Sequence, residues 1–141
     1  MAKGKGNRIK SPQVSKSDSG IFANSTPNYD LMPPVFSLER IQQSGYCLSD
    51  LCKEDKAAFA DAIFKRKSIT WSDIKKLDRH ALGFEKIDKS SIKAPLPRFI
   101  TEDMDHFLAF RFNGMKPMIG YRKQNIFFVL WFDKDFTLYA H

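Results

Sequence analysis

The pattern of apolar and polar positions changes character in the last third of the chain. From His106 to His141 four short, aromatic-rich apolar runs are divided at Asn113-Gly114, Gln124-Asn125 and Asp133-Lys134-Asp135. Short alternating runs separated by turn-forming residues predict an antiparallel meander of about four strands. In the first run Leu108, Phe110 and Phe112 share one face, and Phe107, Ala109 and Arg111 the other. In the second, Ile119 and Tyr121 oppose Met118, Gly120 and Arg122, and Pro117 near its start predicts an edge or a strand beginning. The third, Ile126 to Phe132, is apolar on both faces. It predicts a central strand with helices on one side and a second apolar layer on the other. The fourth sets Phe136, Leu138 and Ala140 against Thr137, Tyr139 and His141.

Upstream, the period shifts to that of a helix. Ala58, Phe59, Ala62 and Ile63 recur at helical spacing, with Glu54 and Asp55 before them and Lys65, Arg66 and Lys67 after, as the helix dipole favours. Thr70-Trp71-Ser72-Asp73 resembles a capping box with Asp in its fourth position. It opens a second helix with Trp71, Ile74 and Leu77 on one face, ending after His80 and before Gly83. Ser37 is a candidate N-cap for a short helix through Leu38, Ile41 and Gln42, stopped by Gly45. Phe84 to Ile87 alternates and reads as a short strand or extended segment. Residues 88–105, with Pro95 and Pro97, read as an exposed connection, either a lid or a crossing between layers. The fold class predicted is α+β, with N-terminal helices packed on a C-terminal antiparallel meander. It forms one domain over residues 35–141.

Residues 1–34 change the picture at the other end. They are rich in Lys, Ser, Asn, Gly and Pro, with Ile21-Phe22 the one clear apolar pair. Such a segment buries too little surface to offset chain entropy, so a disordered basic tail is expected. Net charge is +7, of which the tail contributes +3 and the body +4, so both favour polyanionic partners. Lys3, Lys5, Arg8 and Lys10 serve either as phosphate contacts or as a solvated arm. Cys47 and Cys52 stand in a C-x4-C spacing with no second pair at zinc-ligand spacing, which reads as reduced thiols. No apolar run approaches the roughly 18 residues of a membrane span, and the N-terminus lacks an apolar signal core. A cytoplasmic protein with no membrane association is expected.

His80, His106 and His141 are far apart in sequence, so no metal site is expected, and no motif implies a cofactor. Gly-rich phosphate loops and the G-x-S-x-G elbow are missing, which disfavours a nucleotide-triphosphate enzyme and a serine hydrolase. What is left is a cationic and imidazole set on the sheet. Arg111 and Arg122 sit in otherwise apolar strands, where a guanidinium needs a partner or an open groove. A hairpin around Asn113-Gly114 could put both on one face, depending on a register left open by a loop of Asn113 to Lys116. Tyr121, Lys123, Tyr139 and His141 are neighbours in the same sheet, and His80 and Lys86 reach its rim. This mixture suits metal-independent RNA cleavage by the 2′-hydroxyl: a base takes the hydroxyl proton, cations stabilise the phosphorane, and an acid protonates the leaving 5′-oxygen. The plainer alternative has Arg111 paired with helix carboxylates, Arg122 and Lys123 in a solvated turn, and Tyr139 in the core.

The residues Gly120-Tyr121-Arg122 at a strand start, the aromatic strand Phe127-Phe128-Val129-Leu130-Trp131 and the terminal Leu138-Tyr139-Ala140-His141 carry a resemblance. Together with the order of elements over about residues 50–141, they resemble the RelE/ParE-type bacterial toxins. The resemblance implies a RelE-like toxin acting as an endoribonuclease, a catalytic or phosphate-binding role for Arg122, and an acid–base pair at His141 and Tyr139. The pair stands here in reversed order, one residue apart. It implies RNA as a partner, free or on the ribosome, and an acidic antitoxin protein covering the basic face. The full candidate set is His80, Arg122, Tyr139 and His141 for catalysis and Lys86, Arg111, Tyr121 and Lys123 for RNA phosphate. The alternative is a non-enzymatic accessory protein that binds nucleic acid or protein through the basic tail.

Overall fold

The computed structural model describes residues 26–141. Five strands form one mixed sheet: β1 (Val35–Ser37), β2 (Phe84–Asp88), β3 (His106–Asn113), β4 (Lys116–Lys123) and β5 (Ile126–Phe132), in the spatial order β1-β5-β4-β3-β2. β1 runs parallel to β5, and the other neighbours are antiparallel. With the helices α1 (Lys53–Lys65) and α2 (Trp71–Ile74), the class is α+β. Among the described residues no helix is long and apolar enough to cross a membrane.

Both hairpin turns fall where the sequence placed them. Gly114 and Gln124 each take a φ of 58°, which two-residue hairpin turns use to match strand twist. The β4–β5 pairing slips between Ile119 and Gly120, leaving Leu130 as an extra residue. That bulge puts Leu130 and Trp131 on the same face and returns Phe132 to the opposite one. Gly120 belongs to this close approach, since a Cβ there would lie 1.9 Å from the Phe128 carbonyl oxygen.

Each face of the sheet carries its own core. On the helical face Phe110 gathers the rings of Phe36, Trp71, Phe84 and Phe127 at centroid distances of 5.7, 6.0, 5.7 and 5.0 Å. α1 covers this face with Phe59 and Ala62, and its third buried residue, Asp55, binds Asn113 and Lys116 beside the β3–β4 turn. On the other face Phe107, Ala109, Ile119, Leu130 and Trp131 meet Leu138 and Tyr139 and the connection through Ile92, Phe99, Ile100 and Met104. The connection predicted as exposed therefore supplies the second apolar layer that β5 requires.

Three expectations change. The segment after Ser37 makes a single turn, closed by Ile41 N–H to the Leu38 carbonyl, because Ser37 is already the end of β1 and its Oγ accepts only from Glu39 N–H. α2 ends at Ile74 instead of running to His80, and Leu77 is left exposed. There the Asp78 carbonyl accepts from Ala81 and Gly83, and the Asp78 carboxylate accepts from His80 N–H, which folds the chain into a turn. The fourth run of the meander is not a strand. The outer edge of β5 is already taken by β1, by Gln42 N–H on the Leu130 carbonyl and by Phe132 N–H on the Tyr46 carbonyl. Residues 133–141 instead wrap over the second core and bury Leu138 and Tyr139. Pro117, expected at an edge or a strand beginning, is the second residue of β4, so the strand-beginning alternative holds, in the middle strand of the sheet and beside the bulge between Arg111 and Asn113.

The N-terminal boundary also shifts. Tyr29–Leu31 forms a turn capped by Asn28, Trp71 N–H donates to the Met32 carbonyl, and Pro34 is buried, so the packed part begins before residue 35. The basic cluster Lys3, Lys5, Arg8 and Lys10 lies outside the described residues, as does the disorder expected of residues 1–25.

Candidate functional site

The candidate residues, Lys123 excepted, divide between two clefts on opposite faces of the sheet. The first, of about 400 Å³, is bounded by the turn carrying Arg79 and His80, by Glu85 of β2, by Arg111 of β3, by Met115, and by the C-terminal segment at Phe136 and Tyr139 to His141. Strand pairing places Glu85 and Arg111 on the second-core face, and Arg111 Nη2 meets Glu85 Oε1 at 2.5 Å. Arg79 Nη1 reaches the other carboxylate oxygen at 2.8 Å, so one glutamate holds two guanidinium groups. Arg111 is 8% exposed, yet among the described residues its Nε and Nη1 have no hydrogen-bond partner. Unsatisfied buried donors are rare enough to call for an explanation, and a bound acceptor is one.

Tyr139 is 4% exposed and its hydroxyl is also unpartnered among the described residues. Burial pushes its pKa up to about 12, with the nearby Arg111 guanidinium acting the other way without a hydrogen bond of normal geometry. Near neutral pH this phenol is protonated and serves as a hydrogen-bond donor. His141 packs against it at a ring distance of 4.0 Å. The imidazole is oriented by Asp133, whose fully buried carboxylate contacts His141 Nε2 at 3.1 Å and accepts Thr137 and Leu138 N–H at 2.8 and 3.1 Å. This leaves Nδ1 of His141 as the nitrogen for proton exchange. His80 is exposed at the rim of the same cleft, and with Arg111 it also lines a neighbouring cleft of about 580 Å³ against α1.

The second cleft, of about 440 Å³, opens on the helical face between Trp71, Phe84, His106, Leu108 and Arg122. Lys86 and Tyr121 line it as well. Arg122 does not share a face with Arg111. Its guanidinium lies 4.4 Å from the Trp71 ring centroid, with Nη2 2.7 Å from Asp30 Oδ1 and Nε donating to the Gln124 carbonyl at 2.6 Å. Lys75 holds the same Asp30 at 2.8 Å, and the hydrogen bonds from Lys75 and Arg122 keep that carboxyl below its usual range. Tyr121 stacks on Phe128 at 5.0 Å and 16°, and burial raises its pKa. Lys123 is exposed at the end of β4 and lines neither cleft.

The structure thus brings His80, Arg111, Tyr139 and His141 together and places Lys86, Tyr121 and Arg122 elsewhere. Three contributors went unread in the sequence. Glu85 and Arg79 gave no motif, and Asp133 read as one residue of a turn. The usable signal was Asp133 itself, an acid directly after the apolar run Ile126–Phe132 and eight positions before a histidine. Among the described residues no group of three or more His, Cys, Asp or Glu side chains is placed to hold a metal ion. Compared with known proteins, the chain matches no family model, no curated protein and no solved structure.

Proposed function

We propose that the cleft at Arg111, Tyr139 and His141 binds a phosphodiester of RNA and cleaves it without a metal, through attack of the 2′-hydroxyl. The observation that carries this reading is the unpartnered pair of donors, Arg111 and the Tyr139 hydroxyl, lining a cleft with two imidazoles. One imidazole takes the 2′-hydroxyl proton as the 2′-oxygen bonds to phosphorus. The other gives a proton to the 5′-oxygen as its bond to phosphorus breaks, leaving a 2′,3′-cyclic phosphate and a 5′-hydroxyl. His141, held by Asp133, and His80 take these two roles. Arg111 and Tyr139 donate to the equatorial oxygens, where charge develops.

On this reading the protein is a RelE-like toxin that works on RNA in the cytoplasm and is held inactive by an acidic antitoxin. The cleft supports it by chemistry and not by the arrangement the resemblance implies, since Arg122 takes no part. The accessory-protein alternative depends on the basic tail, whose cluster lies outside the described residues.

The test is cleavage of a single-stranded RNA by the purified protein in the presence of a chelator. Cleavage is expected to leave cyclic phosphate ends, to fail on the matching 2′-deoxy strand and to collapse in Arg111→Gln and His141→Ala. An inactive wild type, or variants as active as wild type, overturns the proposal.

A further inference from the structure

We infer that Phe136 is a base-stacking platform that commits this cleft to single-stranded RNA, an inference that rests on the reading of the cleft as RNA-cleaving. Phe136 lines the cleft with Arg111 and is 42% exposed, although Leu138 and Tyr139 beside it are buried. Its φ is 59°, in the left-handed region that a bulky side chain seldom occupies. The turn that imposes this is held from below by the Asp133 carboxylate on the N–H groups of Thr137 and Leu138. Backbone strain is therefore sustained while an aromatic ring stays in solvent, the opposite of what core formation requires.

The ring and His141 lie 5.1 Å apart with their planes at 89°, so the imidazole is not stacked on it and covers at most one of its two faces. Met115, 48% exposed, lines the same cleft. An open aromatic face beside buried guanidinium donors is the arrangement that binds a nucleobase next to its own phosphate. A base in a duplex is already stacked and paired, so it does not reach the ring without being unpaired first. Stacking accepts any base, which predicts selection for strandedness and little selection for sequence.

The experiment uses a 2′-O-methyl oligoribonucleotide, which binds but is not cleaved, as a single strand and as a duplex. Wild type is expected to bind the single strand more tightly. Phe136→Gly should weaken that binding by roughly tenfold or more, with a Tm equal to or above wild type, because glycine adopts positive φ without strain. Phe136→Trp should bind as wild type does. Undiminished single-strand binding by Phe136→Gly, or a wild-type preference for duplex, overturns the inference while leaving the cleavage reading standing. A wild type that neither binds nor cleaves RNA fails at the earlier step and overturns both.

Discussion

Arg111 and Arg122 stand on adjacent strands but on opposite faces of the same sheet. Arg111 pairs directly with Pro117, and five residues of strict alternation along β4 carry Arg122 to the other side. Their partners follow from that: Glu85 for one, Trp71 and Asp30 for the other. The two substitutions are therefore expected to separate. Arg111→Gln should lower RNA cleavage by about 100-fold, the usual loss when a donor to developing charge is removed. Arg122→Gln should leave cleavage within about twofold, since it touches no group of the cleft, while lowering the Tm through loss of the Trp71 stack and the Asp30 pair. Measuring cleavage rate and Tm on both variants decides it. An Arg122 variant that folds normally but does not cleave would restore the role its Gly-Tyr-Arg context suggested.

Tyr139 tests whether the cleft is built for binding or for stability. Its hydroxyl is buried without a partner, an arrangement that costs about 1–3 kcal/mol in a folded protein. Tyr139→Phe is therefore expected to keep or raise the Tm while slowing RNA cleavage. The same group has a pH signature. Its folded pKa, about 12, lies above the unfolded value of 10.0, so its contribution is complete below pH 10 and is lost as pH rises toward 12. Urea unfolding of wild type should weaken across that window by something on the order of 2 kcal/mol, and Tyr139→Phe should flatten the dependence. A variant that loses stability at neutral pH would mark the hydroxyl as structural.

Much of the scaffold was legible because it rests on short-range rules. The turns at Gly114 and Gln124, the helix through Phe59 and Ala62, and the two-sided burial of β5 each follow from spacing within a few residues. The last segment was misread because its alternation is equally good for a strand. What forbids a strand is the occupied edge of β5, filled by residues some ninety positions earlier in the chain, such as Tyr46. The site was half legible for a related reason. Residue types identified the donors and imidazoles, but the face on which each lies depends on register. A one-residue slip in register reverses a side chain's face.

Arg66 anchors the helical layer without a counter-charge among the described residues. It is 1% exposed, and its three hydrogen bonds go to the carbonyls of Ala62, Ala81 and Leu82 at 2.9, 3.4 and 3.0 Å. Its guanidinium also lies 4.8 Å from the Phe110 ring centroid. Burial lowers its pKa to about 10, which leaves it charged at neutral pH. The side chain closes the C-terminal end of α1, where a cation complements the dipole, and ties it to the turn before β2. Arg66→Lys keeps the charge but loses the planar fork, so a loss of about 2 kcal/mol is expected by urea denaturation. Arg66→Leu leaves the carbonyls unsatisfied and should cost at least as much. A lysine variant as stable as wild type would show that charge at the helix end suffices.

Asp55 should govern the acid side of the stability curve. Its carboxylate is buried, which by itself would raise its pKa. Hydrogen bonds from Asn113 and Lys116, with the Lys116 charge, outweigh that and hold the pKa below the usual 3.8. A folded pKa depressed below the unfolded one contributes stability above the unfolded value, and the contribution disappears as pH falls through the folded value. Wild type should accordingly lose stability below about pH 4, and Asp55→Asn should flatten that loss while starting from a lower plateau. At neutral pH, Asp55→Ala should cost about 2 kcal/mol, held below the value for a fully buried pair because the Lys116 side chain is 32% exposed. A double-mutant cycle with Lys116→Met separates the pair from the rest, and a coupling of about 1 kcal/mol is expected. The same interaction fixes α1 to the β3–β4 turn, next to the bulge that follows Arg111. If Asp55→Asn slows RNA cleavage as well as lowering stability, the ion pair positions Arg111 across the bulge. If cleavage is unchanged, its role ends at holding the helix on the sheet.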